Sequence, residues 1–226
     1  MQKNTVKDIC TTGLVLRRTN YAEADRILNL LTPNGKISVI ARGVRKARSK
    51  LAGGVEMFTL SDYNIHFGRG ELGVVTGVKM VEHFDAILKD YQRIELAGQM
   101  LKKVGALAEG VESDDYFKTI LSGLKGLNAG YDCAMIQAWF GLRLKQIMGE
   151  EINLYRDANG EKLLPGSWYE FDVVQGAFVE KNDGRYGVNE IKLLRLMATT
   201  DFELVRRVKV NDKVWERAIE FARAMA

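Results

Sequence analysis

Over the first eighty residues, apolar and polar positions alternate with a period of two. In "GLVLRR", Leu14 and Leu16 share one face while Val15 and Arg17 share the other. In "KISVIAR", Ile37, Val39 and Ala41 stand opposite Lys36, Ser38, Ile40 and Arg42. Such alternation predicts strands, because successive side chains of a strand point to opposite faces. "RILNLL" is a third apolar run. The "TPNG" that follows it, Thr32 to Gly35, joins proline's preset φ to an Asn-Gly pair tolerant of positive φ, so a hairpin is expected there. Further on, Phe58 and Leu60 have one parity but Tyr63, Ile65 and Phe67 the other, which predicts a bulge at Ser61 and Asp62. Gly68, Gly70 and Gly73 precede a last strand with Val74, Thr76, Val78 and Met80 on one face. Five short, glycine-punctuated strands suit a small closed barrel, of which the OB-fold is the oligonucleotide-binding version.

From Leu88 the period lengthens to that of a helix, with Leu88, Tyr91, Ile94, Gly98, Leu101, Val104 and Ala108 on one stripe. Ser113, followed by Asp114 and Asp115, predicts the N-terminus of a second helix facing inward through Phe117, Ile120, Leu121 and Leu124. Asp132 caps a third, "DCAMIQAWFGLRLKQIM", which is apolar around more than half its circumference, ends at Gly149 and belongs at the centre of a bundle. Residues 151–187 revert to short β-like pieces with turns at "DANG" and "KNDG". Asn189 and Asp212 are then expected to cap two closing helices. The expected architecture is α+β: an OB-fold barrel over residues 1–82, then a helical domain over 83–226 interrupted by the β-rich insert.

Charge sharpens this division. Residues 1–83 hold 13 Lys and Arg against 7 Asp and Glu, whereas residues 84–226 hold 20 against 22, so the chain's net +4 comes from its N-terminal third. A basic barrel points to a polyanionic partner. No apolar run reaches the ~20 residues that span a bilayer, and "MQKNTVKDIC" lacks the apolar core of a secretory signal. A cytoplasmic location is expected. Cys10 and Cys133 are too few for a disulfide framework or a four-thiolate metal site.

Little in the sequence points to covalent chemistry. "GRGELG", Gly68 to Gly73, matches a phosphate-binding glycine pattern, but the β-branched "VVTGV" follows it where a helix N-terminus is required, so a hairpin turn is the better reading. His66 and His83 stand seventeen positions apart with no neighbouring thiolate, and Cys133 lies on a mostly apolar helix. Asp114 and Asp115 sit where a helix N-terminus favours negative charge. Glu23 and Asp25 read as local ion-pair partners of Arg26. No catalytic residue, metal ligand or cofactor site is assigned, and the protein is not expected to be an enzyme.

What remains is "ARGVRKARSK", Ala41 to Lys50, with Arg42, Arg45, Lys46, Arg48 and Lys50 and no acidic residue. A solvated basic loop is the bland alternative. The segment follows the third strand of the expected barrel, however, and Arg17, Arg18 and Lys36 lie on or near adjoining strands. Tyr21, Tyr63 and Phe67 offer flat surfaces, although Tyr63 and Phe67 read equally well as core. Cationic grooves with interleaved aromatic rings hold single strands by counterion release and base stacking. The candidate nucleic-acid contacts are Arg17, Arg18, Lys36, Arg42, Arg45, Lys46, Arg48, Lys50, Tyr63 and Arg69.

The stretch from Asn20 to Gly77, especially "EADR", the pattern GK-S-IARG-RK-S and the strand after it, resembles the N-terminal domain of the bacterial DNA repair RecO family. The likeness returns at "WFGLRLKQIMG", Trp139 to Gly149, and covers about half the chain. It implies an OB-fold followed by a helical domain with a small β-rich insert. It also implies a recombination mediator that binds single- and double-stranded DNA, anneals complementary strands and, with RecR, helps load RecA on DNA covered by the single-stranded-DNA-binding protein. Many members of that family hold zinc in the insert through paired C-x-x-C motifs. Residues 151–187 contain neither cysteine nor histidine, so zinc is not expected here, and packing of Trp168, Tyr169, Phe171 and Phe178 is expected to take its place. An RNA-binding barrel and a protein adaptor are the other classes compatible with the residues.

Overall fold

The computed structural model describes residues 7–68, 70, 72–112 and 114–225. It divides into two compact units, the first ending at Asn128 and the second beginning at Ala129.

The first unit is built on five strands: β1 (Lys7–Tyr21), β2 (Asp25–Thr32), β3 (Gly35–Ala41), β4 (Thr59–Phe67) and β5 (Gly73–His83). They close into a barrel in the order β1-β2-β3-β5-β4. All pairings are antiparallel except β3 with β5, which meet in parallel through Val39 with Gly73 and Ile40 with Val74. The long β1 makes closure possible, since its first half pairs with β4 and its second with β2. Val15, Leu28, Leu30, Val39, Tyr63, Ile65 and Val75 fill the interior.

The "TPNG" turn forms as expected. The Thr32 hydroxyl donates to the Gly35 carbonyl at 2.8 Å, and Gly35 has φ +101° with the Val111 carbonyl only 2.7 Å from where a Cβ would stand. Register also shifts between Leu60 and Ser61, where the parity changes, but the extra residue is Val81 on the facing strand β5. A second shift makes Thr76 an extra residue, which turns Val75, not Val74, into the core.

Two helices complete this unit: α1 (Tyr91–Leu107) packs on β1, and α2 (Asp114–Asn128) packs on β2 and α1. The change of period near His83 therefore marks where strands give way to helices, whereas the compact division falls later, because these two helices cover the barrel's outer wall. Asp90 caps α1 by accepting from the Gln92 and Arg93 amides. Its buried face is Leu96, Ala97, Met100, Leu101 and Val104, while Tyr91 on the expected stripe is 78% exposed. The Ser113 expected to begin α2 lies outside the described residues.

In the second unit, α3 (Cys133–Met148) runs between α4 (Val188–Thr199) and α6 (Asp212–Met225), with a short α5 (Phe202–Val205) between the last two. Trp139 on α3 is fully buried and its indole N–H donates to the Thr200 carbonyl at 2.8 Å. Caps depart from expectation by a residue or two. Gly187 precedes α4, its amide donating to the Glu190 carboxylate at 3.1 Å, and Asn211 caps α6 by accepting from the Val214 amide at 3.0 Å.

The insert carries the hairpin β6 (Tyr169–Asp172) and β7 (Ala177–Glu180). Phe178 stacks on Phe221 of α6 at 5.6 Å, and Phe171 and Tyr186 meet Phe221 edge-on. Trp168, expected among the packing rings, is 44% exposed, and Tyr186 and Phe221 fill that role instead. Donor chemistry agrees with the absence of thiolates. Among the described residues no three His, Cys, Asp or Glu side chains converge as a metal site would require, and Asp157 closes the "DANG" turn itself by accepting from the Asn159 and Glu161 amides. The residues present do not fit the zinc of the family pattern.

Candidate nucleic-acid interface

The basic segment leaves the barrel at the end of β3 as a chain of turns, and its backbone is fastened before its side chains diverge. Gly43 takes φ +63°, a region that favours glycine, and its amide donates to Asp25 Oδ1 at 2.7 Å. The Arg45 amide donates to the Ala24 carbonyl at 2.9 Å, the Lys46 amide to the Gly43 carbonyl at 3.1 Å and the Ser49 amide to the Lys46 carbonyl at 3.0 Å. Val44 points inward, 3% exposed, and joins the barrel core with Val55. One apolar anchor and these hydrogen bonds hold the turn, so Arg42, Arg45, Lys46, Arg48 and Lys50 are all exposed. None of the five enters an ion pair among the described residues.

A second group of cations lies next to this turn. Arg18 of β1 and Arg26 of β2 both pair with Glu56, Arg26 at 2.8 Å. Desolvation, with Arg18 and Arg45 nearby, holds the Arg26 guanidinium below its usual range. Two guanidiniums thus share one carboxylate, with Arg45 close enough to Arg26 to be felt by it. The expected pairing of Arg26 with Glu23 or Asp25 does not form, because Asp25 is engaged by Gly43.

The other expected contacts fall in different places. Arg17 is exposed on β1 opposite Asn29, beside a bulge at Leu16. Lys36 is turned toward α1, donating to the Gly105 carbonyl at 3.2 Å and pairing with Glu109, so its charge serves the helix C-terminus. Tyr63 is not a stacking surface. It is 1% exposed inside the barrel, and its hydroxyl donates to the Gly54 carbonyl at 2.8 Å. Burial pushes its phenol well above the ordinary value. Phe67 packs partly against the same core, whereas Tyr21, at the β1–β2 turn, is 52% exposed. Arg69 lies outside the described residues. Residue reasoning missed Asn29, Glu56 and Lys102. Their neighbours in space are distant in sequence, and no local pattern marks them.

The second unit holds a cavity of about 410 Å³ lined by Gln146, Leu154, Tyr155, Arg195 and Thr199. Its guanidinium is already engaged: Arg195 Nε donates to the Leu154 carbonyl at 2.8 Å and the group stacks 4.5 Å from the Tyr155 ring centre. No helix among the described residues is long and apolar enough to cross a membrane.

Comparison with known proteins adds to this geometry. Residues 6–84 match the family model described as "Recombination protein O N terminal", and residues 104–225 match "Recombination protein O C terminal". Among curated relatives, a protein of Roseiflexus sp. (strain RS-1) is 30% identical over 209 residues, covering 89% of this chain and 74% of the relative. One of Heliobacterium modesticaldum is 32% identical over 215 residues, covering 89% and 78%. One of Dehalococcoides mccartyi (strain 195) is 28% identical over 215 residues, covering 92% and 85%. Each of the three is named DNA repair protein RecO.

Proposed function

The chain belongs to the recombination protein O family of DNA repair proteins, and from that premise we propose that it is a recombination mediator whose barrel holds DNA by its phosphate backbone. The observation that carries this reading is the turn after β3, which presents on a closed five-stranded barrel five exposed cations that enter no ion pair among the described residues. Cations already paired with carboxylates gain little from a phosphate. Unpaired ones release the counterions condensed on the nucleic acid, which gives affinity without reading bases. Such contacts suit a protein that must accept any sequence and bring complementary strands together. The partners implied by family likeness are RecR, the single-stranded-DNA-binding protein and, through them, the RecA filament, in the cytoplasm and at the nucleoid. No covalent step is part of this function.

Two measurements test it. Anisotropy titrations of single- and double-stranded DNA across salt concentrations should show affinity falling linearly on a log-log plot. Annealing of complementary oligonucleotides should accelerate when the protein is added. A protein that prefers tRNA over single-stranded DNA of equal length would be an RNA-binding barrel instead. One that binds neither at low salt would be an adaptor.

A further inference from the structure

On the outer wall of the barrel, where α1 crosses β1 and β2, a cavity of about 220 Å³ opens to solvent. Its floor is apolar: Leu16, the bulged residue of β1, and Leu101 of α1. Asn29 forms one wall. Arg17 and Lys102, both exposed, line it as well, and the stem of Lys36 lines it too, with its ammonium drawn off to Gly105 and Glu109. Neither Arg17 nor Lys102 enters an ion pair among the described residues. Glycine at position 105 keeps the cavity open where α1 approaches Leu16.

We propose that this cavity receives one unstacked base of a bound single strand, with Arg17 and Lys102 meeting the phosphates on either side. The inference rests on the DNA-binding reading above and names a subsite within it. Four features support it. First, the lining pairs apolar Leu16 and Leu101 with cations at the rim, which is the amphiphilic pattern of a nucleotide unit. Second, the size is below the roughly 300–1,000 Å³ of pockets that enclose a whole drug-sized ligand, so it suits a single base and not a longer segment. Third, among the described residues Asn29 Oδ1 accepts only from the Ser38 hydroxyl, at 3.4 Å. That leaves the amide N–H groups for a base edge, and every base offers an acceptor there. Fourth, Asn29 lies opposite both Arg17 and Ser38 and faces away from the core residues Leu28 and Leu30. It therefore sits on the outer face of strands β2 and β3, where OB-fold barrels take oligonucleotides.

The test compares a single-stranded oligonucleotide with an abasic strand of equal length and phosphate count, using the full chain. Wild type should prefer the base-bearing strand by at least about five-fold, the low end for one base held in a single-strand groove. Gly105→Leu fills the cavity from the helix side: a Cβ there would stand 3.4 Å from Leu16 Cδ1, an ordinary contact. It should remove most of that preference while leaving abasic-strand affinity and melting temperature unchanged. Asn29→Ala, a smaller change, should lower the preference in the same direction if the leucine variant proves unstable. Lys102→Ala should weaken both strands equally. A preference that survives both Gly105→Leu and Asn29→Ala in folded protein overturns the subsite but leaves backbone binding standing. Wild type that binds neither strand overturns both.

Discussion

Asp25 Oδ1 accepts the Gly43 amide at 2.7 Å, so the first residue of β2 fixes the left-handed turn from which the basic segment departs. A carboxylate accepting a backbone N–H is a strong contact, and hydrogen bonds to charged groups contribute about 1.5–3 kcal/mol. Asp25→Ala is expected to lower unfolding free energy by roughly that amount. It should also raise hydrogen exchange at the amides of Gly43 to Lys46. Asp25→Asn, which keeps an acceptor, should lose less in denaturant titration. Equal losses would mean that charge, not the contact, holds the turn.

The cations beyond that anchor should act as a set of phosphate contacts. Replacing Arg45, Lys46 and Arg48 together by Ala is expected to flatten the log-log salt dependence of single-strand binding by about 2 units, at ~0.7 per phosphate. Losses should be similar on oligonucleotides of different sequence. These side chains are exposed and enter no ion pair among the described residues, so the melting temperature should hardly move. An unchanged slope would reduce the segment to a solvated loop.

Glu56 should work against binding. Its carboxylate pairs with Arg18 and Arg26, so under the proposed DNA-binding function it would compete with a phosphate for those two guanidiniums. Glu56→Gln is expected to raise single-strand affinity at low salt and to steepen the salt dependence by up to about 1.4 units, two contacts at ~0.7 each. If affinity falls instead, Glu56 positions the arginines and does not mask them.

How far these features were legible in the sequence differs from residue to residue. The five strands and the "TPNG" hairpin follow from local patterns, since alternation and turn chemistry are short-range. The exposed turn was legible too, because five cations without a carboxylate cannot be buried. Tyr63 was ambiguous from pattern alone: an aromatic ring on a strand has the same parity whether it faces a core or a groove. What decides it is the Gly54 carbonyl, nine residues back and brought over the barrel's end by the loop. Thr76 and Val81, extra residues relative to β4, likewise shift the inward face of β5 in a way that pairing alone reveals. Glu56 and Lys102 matter only through closure and through the seat of α1, neither of which has a local sequence signature.

The burial of Tyr63 has a spectroscopic consequence. Its phenol is raised by desolvation, opposed only in part by Ser61. In an alkaline ultraviolet titration, Tyr63 should therefore stay protonated until the barrel unfolds. Tyr63→Phe should reduce stability by only about 0.5–1.5 kcal/mol, since the Ser61 hydroxyl still donates to the Gly54 carbonyl at 2.9 Å. Tyr63→Ala should cost about 3–5 kcal/mol. Ionisation of Tyr63 while the barrel is still folded would contradict its place in the core.

The insert should be insensitive to chelators, its cohesion resting on rings and not on a metal. Phe178 is fully buried against Phe221, Phe171 and Tyr186, so Phe178→Ala is expected to cost about 3–5 kcal/mol. Chelation should leave the melting temperature where it was. A shift on chelation, or elemental analysis near one zinc per chain, would overturn the aromatic account.

The insert should also lose stability in acid through one identifiable pair. Arg185 grips Glu170 with Nε and Nη2 on the same carboxylate oxygen, at 3.0 and 2.8 Å, and that hydrogen bonding is the main reason the Glu170 carboxyl sits below its usual value. A depressed carboxyl pKa means that the folded state binds the proton less readily than the unfolded chain. The pair's contribution is therefore complete above the unfolded value of about 4.3, and is lost as pH falls through the lower, folded value. Asp172 and Glu203 are depressed too, so the acid limb of the whole-protein curve sums several groups of the same sign. The difference between wild type and Glu170→Gln isolates the pair. That difference should be constant from neutral pH down to about 4.3 and shrink toward zero below it, because the variant has no proton to take up at this site. Arg185 also feels Glu220 and the Tyr186 ring, so Arg185→Ala would disturb more than the pair, and the glutamine variant is the cleaner probe. A difference that stays flat into acid would mean Glu170 packs the hairpin without its charge mattering.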